Sequence, residues 1–141
     1  MDRRDFLKGA AALPLVLRAS NAYAAYPERN VDLIVPFPPG GQADLAARPV
    51  AQKLQELLGK AFVVDNRGGA GGAIGNAYAA KSAPDGYTLL MTLSSLAVLP
   101  EADRILGRPA QYEVSQLVPI ARVLADPTLL AVNAKAPWKN I

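Results

Sequence analysis

Val31-Asp32-Leu33-Ile34-Val35-Pro36-Phe37-Pro38-Pro39-Gly40-Gly41 is the stretch from which the architecture of this chain can be read. Four of its first five residues are apolar and the run ends at Pro36, which reads as a short, largely buried strand. Three prolines stiffen the loop that follows, and Gly40 and Gly41 permit unusual dihedrals at its end. From Gln42 a helical period begins. Ala43, Ala46, Ala47, Val50, Leu54, Leu57 and Leu58 fall on one stripe until Gly59 stops it. Pro49 lies inside this helix and is expected to remove a hydrogen bond and kink it.

The same order of strand, loop and helix recurs downstream. Ala61-Phe62-Val63-Val64 reads as a second strand, led out by Asp65-Asn66-Arg67. The glycine run from Gly68 to Gly75 then opens a small-residue helix reaching about Lys81. Ala83-Pro84-Asp85-Gly86 is a turn with proline and glycine in suitable places. Tyr87 to Thr92 is a third strand, ending in Ser94-Ser95. Three such units predict an α/β fold, a parallel sheet with flanking helices. After Pro100 the pattern changes: Glu101 to Glu113 is polar and irregular, with room for one helical turn. Leu117 to Leu124 and Thr128 to Val132 read as two further strands, with no closing helix after the last.

The N-terminus reads as an address. Arg3-Arg4-Asp5-Phe6-Leu7-Lys8 is a paired-arginine head, Gly9 to Leu17 a short apolar middle, and Ala22-Tyr23-Ala24 a small-x-small cleavage site. Cleavage between Ala24 and Ala25 is expected, with an amphipathic first helix as the competing reading. The head resembles a twin-arginine signal, so the mature chain is expected in the periplasm. The 141 residues carry a formal charge of +3, but four basic and two acidic residues lie in the first 24. Setting these aside leaves 11 basic and 10 acidic residues, scattered singly. Nucleic acid is therefore not an expected partner. The chain has no cysteine and no histidine, which excludes a disulfide, a thiolate nucleophile and the commonest general base.

The loop Pro36 to Gly41 is the first candidate site. It lies at the carboxyl end of a strand, and the helix after it aims unpaired N–H groups and a positive dipole end at the same place. Gly40 and Gly41 leave those amides open to a carboxylate, Phe37 supplies an apolar wall, and Phe37, Pro38, Gly40 and Gly41 are the residues expected to hold the anion. A plain turn between strand and helix explains the same residues. Gly68 to Gly75 fits neither a dinucleotide fingerprint nor a Walker loop, because Ile74 stands at the third glycine position and no lysine follows the run until Lys81. Asn66, Gly69, Gly71 and Gly72 are secondary candidates for ligand contact, with tight packing as the alternative. Ser94 and Ser95 share that sheet edge; their hydroxyls bond a ligand or cap the next turn. Asp44 and Arg48, spaced i, i+4, read as a surface ion pair. No catalytic residue, metal cluster or cofactor is indicated.

These motifs resemble those of the tripartite tricarboxylate transporter substrate-binding receptors, the Bug receptors. The likeness runs through Val35 to Gly41 with Asp44, Ala47 and Arg48, then Asp65 to Gly72 with Ile74-Gly75, then Ala83 to Leu90, and finally Val118 to Ala121 with Pro127 and Leu129 to Val132. It implies a periplasmic-binding-protein fold, a two-lobed Venus flytrap that closes on a small carboxylated solute. It further implies that Pro36 to Gly41 holds the ligand carboxylate through backbone groups and water, and that a two-subunit membrane permease receives the solute. Gly68 replaces a usual proline, and family members are considerably longer. The chain is accordingly read as a truncated, monomeric receptor: a signal at 1–24, the first half of lobe one at 25–100, and the crossover with the start of lobe two at 101–141. The competing readings are a regulatory binding protein feeding a sensor kinase, a non-functional remnant, and a nucleotide-binding enzyme.

Overall fold

The computed structural model describes residues 26–125, 131–133 and 135–137. The proposed signal, with Ala24 and Ala25, lies outside the described residues. In chain order the elements are β1 (Val31–Val35), α1 (Gln42–Leu58), β2 (Phe62–Asn66), a 3-10 turn (Ala70–Gly72) leading into α2 (Ala73–Ala80), β3 (Thr88–Leu90), α3 (Ser95–Ile105) and a 3-10 turn (Val114–Gln116). The three strands form one parallel sheet in the order β2-β1-β3. Val31 pairs with Phe62 and Val35 with Asn66 on one side of β1; Asp32 pairs with Thr88 and Ile34 with Leu90 on the other. The three strands point the same way, so the loops after them meet at one edge.

The pleat sorts β1 between two layers. Val31, Leu33 and Val35 face one side and form a core with Phe62 and the alanines 43, 47 and 51 of α1. Alanine at every fourth position lets the helix lie close to the sheet. Ile34 is fully buried on the opposite side, which α2 covers with Ala73 and Ala77. Burial of a side chain such as Val31 or Ile34 contributes about 1.5–3 kcal/mol. Tyr26 ties the start of the body to the turn before β3. Its hydroxyl donates to the Gly86 carbonyl at 2.6 Å, and the Tyr87 hydroxyl accepts the Glu28 amide hydrogen at 3.0 Å.

Four sequence expectations are corrected or qualified. Leu57 and Leu58, placed on the buried stripe of α1, are 68% and 40% exposed. The 17-residue helix is about 25 Å long, whereas a five-residue strand spans about 17 Å, so its last turn passes beyond the sheet. Second, α1 continues through Pro49 as one helix, while the hydrogen bond expected to be lost there is lost. Pro49 cannot pair the Leu45 carbonyl, but both residues are exposed, so water can serve that oxygen. Third, the region from Ser95 to Ile105 is a helix of 11 residues with Pro100 buried inside it. Tyr112 makes this possible: its hydroxyl donates at 2.8 Å to the Leu96 carbonyl, the group that Pro100 leaves without a partner. Fourth, residues 117–125 form no strand, and Val118 and Ile120 are 86% and 82% exposed. Apolar content does not make a strand without an edge to pair with, and this segment joins neither β2 nor β3. Most of the strand expected at 128–132 lies outside the described residues; Ala131 and Val132 have no regular structure and are exposed.

Candidate functional site

The edge formed by the strand ends collects the residues singled out above. Phe37, Pro38, Gly40 and Gly41 follow β1; Asn66 ends β2 and Gly69, Gly71 and Gly72 follow it; Ser94 and Ser95 start α3 just after β3. The first two loops touch. Phe37 is half-buried against the core, and a β-carbon added to Gly72 would stand 3.2 Å from its ring. Gly72 also has φ +104°, a conformation that side chains rarely adopt. Gly72→Ala is therefore expected to lower stability by about 1–3 kcal/mol and to shift Phe37, readable as a lower urea midpoint and altered aromatic resonances.

The loop Pro36 to Gly41 is held by Asp44. The i, i+4 ion pair with Arg48 expected from its spacing forms, but Asp44 itself is buried and only Arg48 is exposed. Its Oδ2 accepts hydrogens from Arg48 Nε at 2.8 Å and the Gly40 amide at 2.9 Å. Its Oδ1 accepts from Arg48 Nη2 and Asn66 Nδ2, each at 3.0 Å. The Arg48 guanidinium, then the Gly40 amide, hold the Asp44 carboxyl well below the usual carboxylate range, and the Asn66 amide adds to this against the opposing effect of desolvation. The same pairing raises Arg48. Asn66 Nδ2 also donates to the Phe37 carbonyl at 3.1 Å, so its two amide hydrogens fasten the end of β2 to the first loop.

This geometry alters the physical basis expected for an anion cradle. The Gly40 amide is turned inward onto Asp44, and the Gly41 amide reaches the Pro38 carbonyl at 3.3 Å. The first intrahelical bond of α1 runs from Leu45 to Gly41, so the amides of its first turn are not taken up within the helix. Neutralised by Arg48, Asp44 does not oppose an anion there. At the third strand end, Ser94 is exposed, while Ser95 Oγ is buried with no hydrogen-bond partner among the described residues. The glycine run is mainly a packing device at Gly75: a β-carbon there would lie 2.7 Å from the Arg67 carbonyl oxygen and 2.7 Å from Pro36 Cβ.

Sequence reasoning missed Asn76 and Tyr112. Both are buried, and Thr92 Oγ1, Asn76 and Tyr112 form a hydrogen-bonded chain under this edge. An asparagine in a run of alanines was the available signal. Two shallow grooves of about 520 and 550 Å³ flank α2, the second bounded also by Leu99, Asp103, Arg108 and, from the glycine turn, Ala70; neither is lined by Phe37, Pro38, Gly40, Gly41, Ser94 or Ser95. No group of three or more metal-ligating side chains occurs among the described residues, and none of their helices is long and apolar enough to cross a membrane.

Three parallel strands with flanking helices, and the loops that follow them gathered at one edge, make an α/β fold, and its structural likeness is to periplasmic binding proteins. A solved structure described as a periplasmic transporter superposes with a TM-score of 0.57 at 49% identity, over 63% of this chain and 29% of that one. The chain belongs to the tripartite tricarboxylate transporter family receptors, whose sequence model matches residues 46–141. That family consists of solute-binding receptors, not enzymes. The chain is 47% identical over 111 residues to protein BugT of Bordetella pertussis, covering 78% of this chain and 33% of BugT. It is 36% identical over 144 residues to a UPF0065 protein in the tcbD-tcbE intergenic region of Pseudomonas sp. strain P51, covering 99% of this chain and 41% of that protein. The chain thus spans about a third of the length of BugT and somewhat more of the second relative.

Proposed function

We propose that this chain is the exported, ligand-bearing first part of a periplasmic receptor for a small organic carboxylate. The observation that carries the reading is the convergence of three strand-end loops, with the first turn of α1 and the Ser95 hydroxyl, which has no partner among the described residues, on one sheet edge of a tricarboxylate-receptor family member. A helix N-terminus attracts negative charge, and a buried hydroxyl without a partner gains a hydrogen bond when a ligand oxygen reaches it. Phe37, Pro38, Gly40 and Gly41 shape the wall, Ser94 and Ser95 supply hydroxyls, and Asn66, Gly69, Gly71 and Gly72 hold the adjoining turn. Residues 1–24 act as the export signal, with cleavage between Ala24 and Ala25. Residues 25–100 belong to the first lobe and 101–141 lead toward the second. The receptor works as a monomer and delivers its solute to a membrane permease.

Calorimetric titration and thermal shift with citrate, malate, glutamate, nicotinate and benzoate test this, on the chain and on any longer product of the same reading frame. A ligand held at a hundred times its dissociation constant stabilises the folded form by about 2.7 kcal/mol, a clear upward shift in melting temperature. No heat and no shift with any of these acids, together with turnover of a substrate, would sink the receptor reading.

A further inference from the structure

We propose that Asn76 is a positioning residue of the candidate binding edge, coupling the turn from Thr92 to Ser95 to the setting of the segment that starts at Tyr112. The meaning of that edge rests on the receptor reading above; the coupling rests on geometry alone. Asn76 projects from α2 and is fully buried. Thr92 Oγ1 donates to its Oδ1 at 3.0 Å, and its Nδ2 donates to Tyr112 Oη at 3.2 Å. Tyr112 Oη donates in turn to the Leu96 carbonyl at 2.8 Å.

The direction of this chain is dictated by its ends. Leu96 offers a carbonyl that can only accept, so the single hydroxyl proton of Tyr112 is committed to it. The tyrosine oxygen must then accept, which turns the amide nitrogen of Asn76 toward it and leaves the amide oxygen for Thr92. Leu96 needs this donor because Pro100 has none to give it. Burial raises the Tyr112 phenol above its ordinary value, with Asp103 adding to the shift against the Asn76 hydrogen bond, so the proton stays in place. Asn76 also lies beneath the glycine turn: a β-carbon on Gly72 would come 3.6 Å from its Nδ2.

One buried amide thus touches the end of the third strand unit, the second loop and, through Tyr112, α3. Tyr112 is the last buried residue among those described; Val114 to Gln116 and residues 118–125 are exposed. Whatever follows is oriented by this root. A solute that orders the Thr92 to Ser95 turn therefore tightens Asn76 and Tyr112, and the crossover segment is held in a narrower range of attitudes. Buried polar networks of this kind act as units, because loss of one member strands its neighbours without partners.

Amide hydrogen exchange on the 141-residue chain tests the coupling. Thr92→Val is expected to speed exchange of the Gln116 and Leu117 amides by roughly tenfold, although these are remote from residue 92 in sequence. Tyr112→Phe is expected to do the same at Met91 and Gly72. The sheet amides of Leu33 and Ile34 should change only with overall stability. In an Asn76→Ala background, Thr92→Val should add nothing at 116 and 117. The coupling is overturned if Thr92→Val acts only on residues 91–93, or if its remote effect survives without Asn76. Should Asn76→Ala fail to fold, the two gentler variants decide the matter between them. Titration of the same proteins with citrate and malate separates the two ideas. Remote coupling without any acid bound removes the binding edge and keeps the relay. Acid binding with a silent Thr92→Val removes the relay and keeps the edge.

Discussion

Gly75→Ala is expected to lower the stability of this chain by about 3 kcal/mol, against the usual sign of such a change. Replacing an interior helical glycine by alanine ordinarily adds about 1 kcal/mol, because alanine is the better helix former. At Gly75 the new methyl would stand 2.7 Å from the Arg67 carbonyl oxygen, 2.7 Å from Pro36 Cβ and 2.8 Å from Pro36 Cα. Two of these three atoms are backbone and the third is fixed in a proline ring, so no flexible side chain can move aside. Relief requires α2 to retreat from the mouth of β1 and from the turn after β2 together. Urea unfolding followed by circular dichroism should give a midpoint well below that of the unmodified chain. A neutral or raised midpoint would mean that α2 does not approach Pro36 this closely.

Asp44→Asn should give a chain that is less stable at neutral pH and flatter in its response to acid. The folded-state pKa of Asp44 is depressed, principally by Arg48 and then by the Gly40 amide. The sign follows from linkage. The stabilisation is complete above the unfolded carboxyl value of about 3.9 and is lost as pH falls through the lower folded value. Asparagine cannot accept the bidentate Arg48 pair with a charge, so the variant lacks that contribution at every pH. The two unfolding curves should lie farthest apart at neutral pH and converge as pH drops from about 5 toward 2. A separation that stays constant across that range would place the stabilisation in hydrogen bonding alone.

The strand, loop and helix units of the first hundred residues were legible because each carries a local signal. Proline and glycine mark the loops, the alanines of α1 repeat on one face, and β1 is a continuous apolar run. The gathering of Phe37, Asn66, Gly72 and Ser94 at one sheet edge follows from the parallel pairing that three successive strand, loop and helix units predict. What escaped notice was settled at a distance. The burial of Asp44 depends on Asn66, 22 residues away. The helix across Pro100 depends on a tyrosine that supplies the missing donor, and no local pattern around Pro100 announces it. Val118 and Ile120 fit a strand by composition, but pairing depends on an edge, which a window of eight residues does not contain.

The position of β1 has a consequence for synthesis. Among the described strands, the first to leave the ribosome is the central one, flanked by neighbours translated later: Val31 must await Phe62, and Asp32 must await Thr88. At about 5–20 residues per second, the nascent chain carries an unpaired, apolar centre strand for several seconds. During that interval β1 lacks the strands it pairs with in this sheet, and the register on both its sides is reached only once the third strand has emerged.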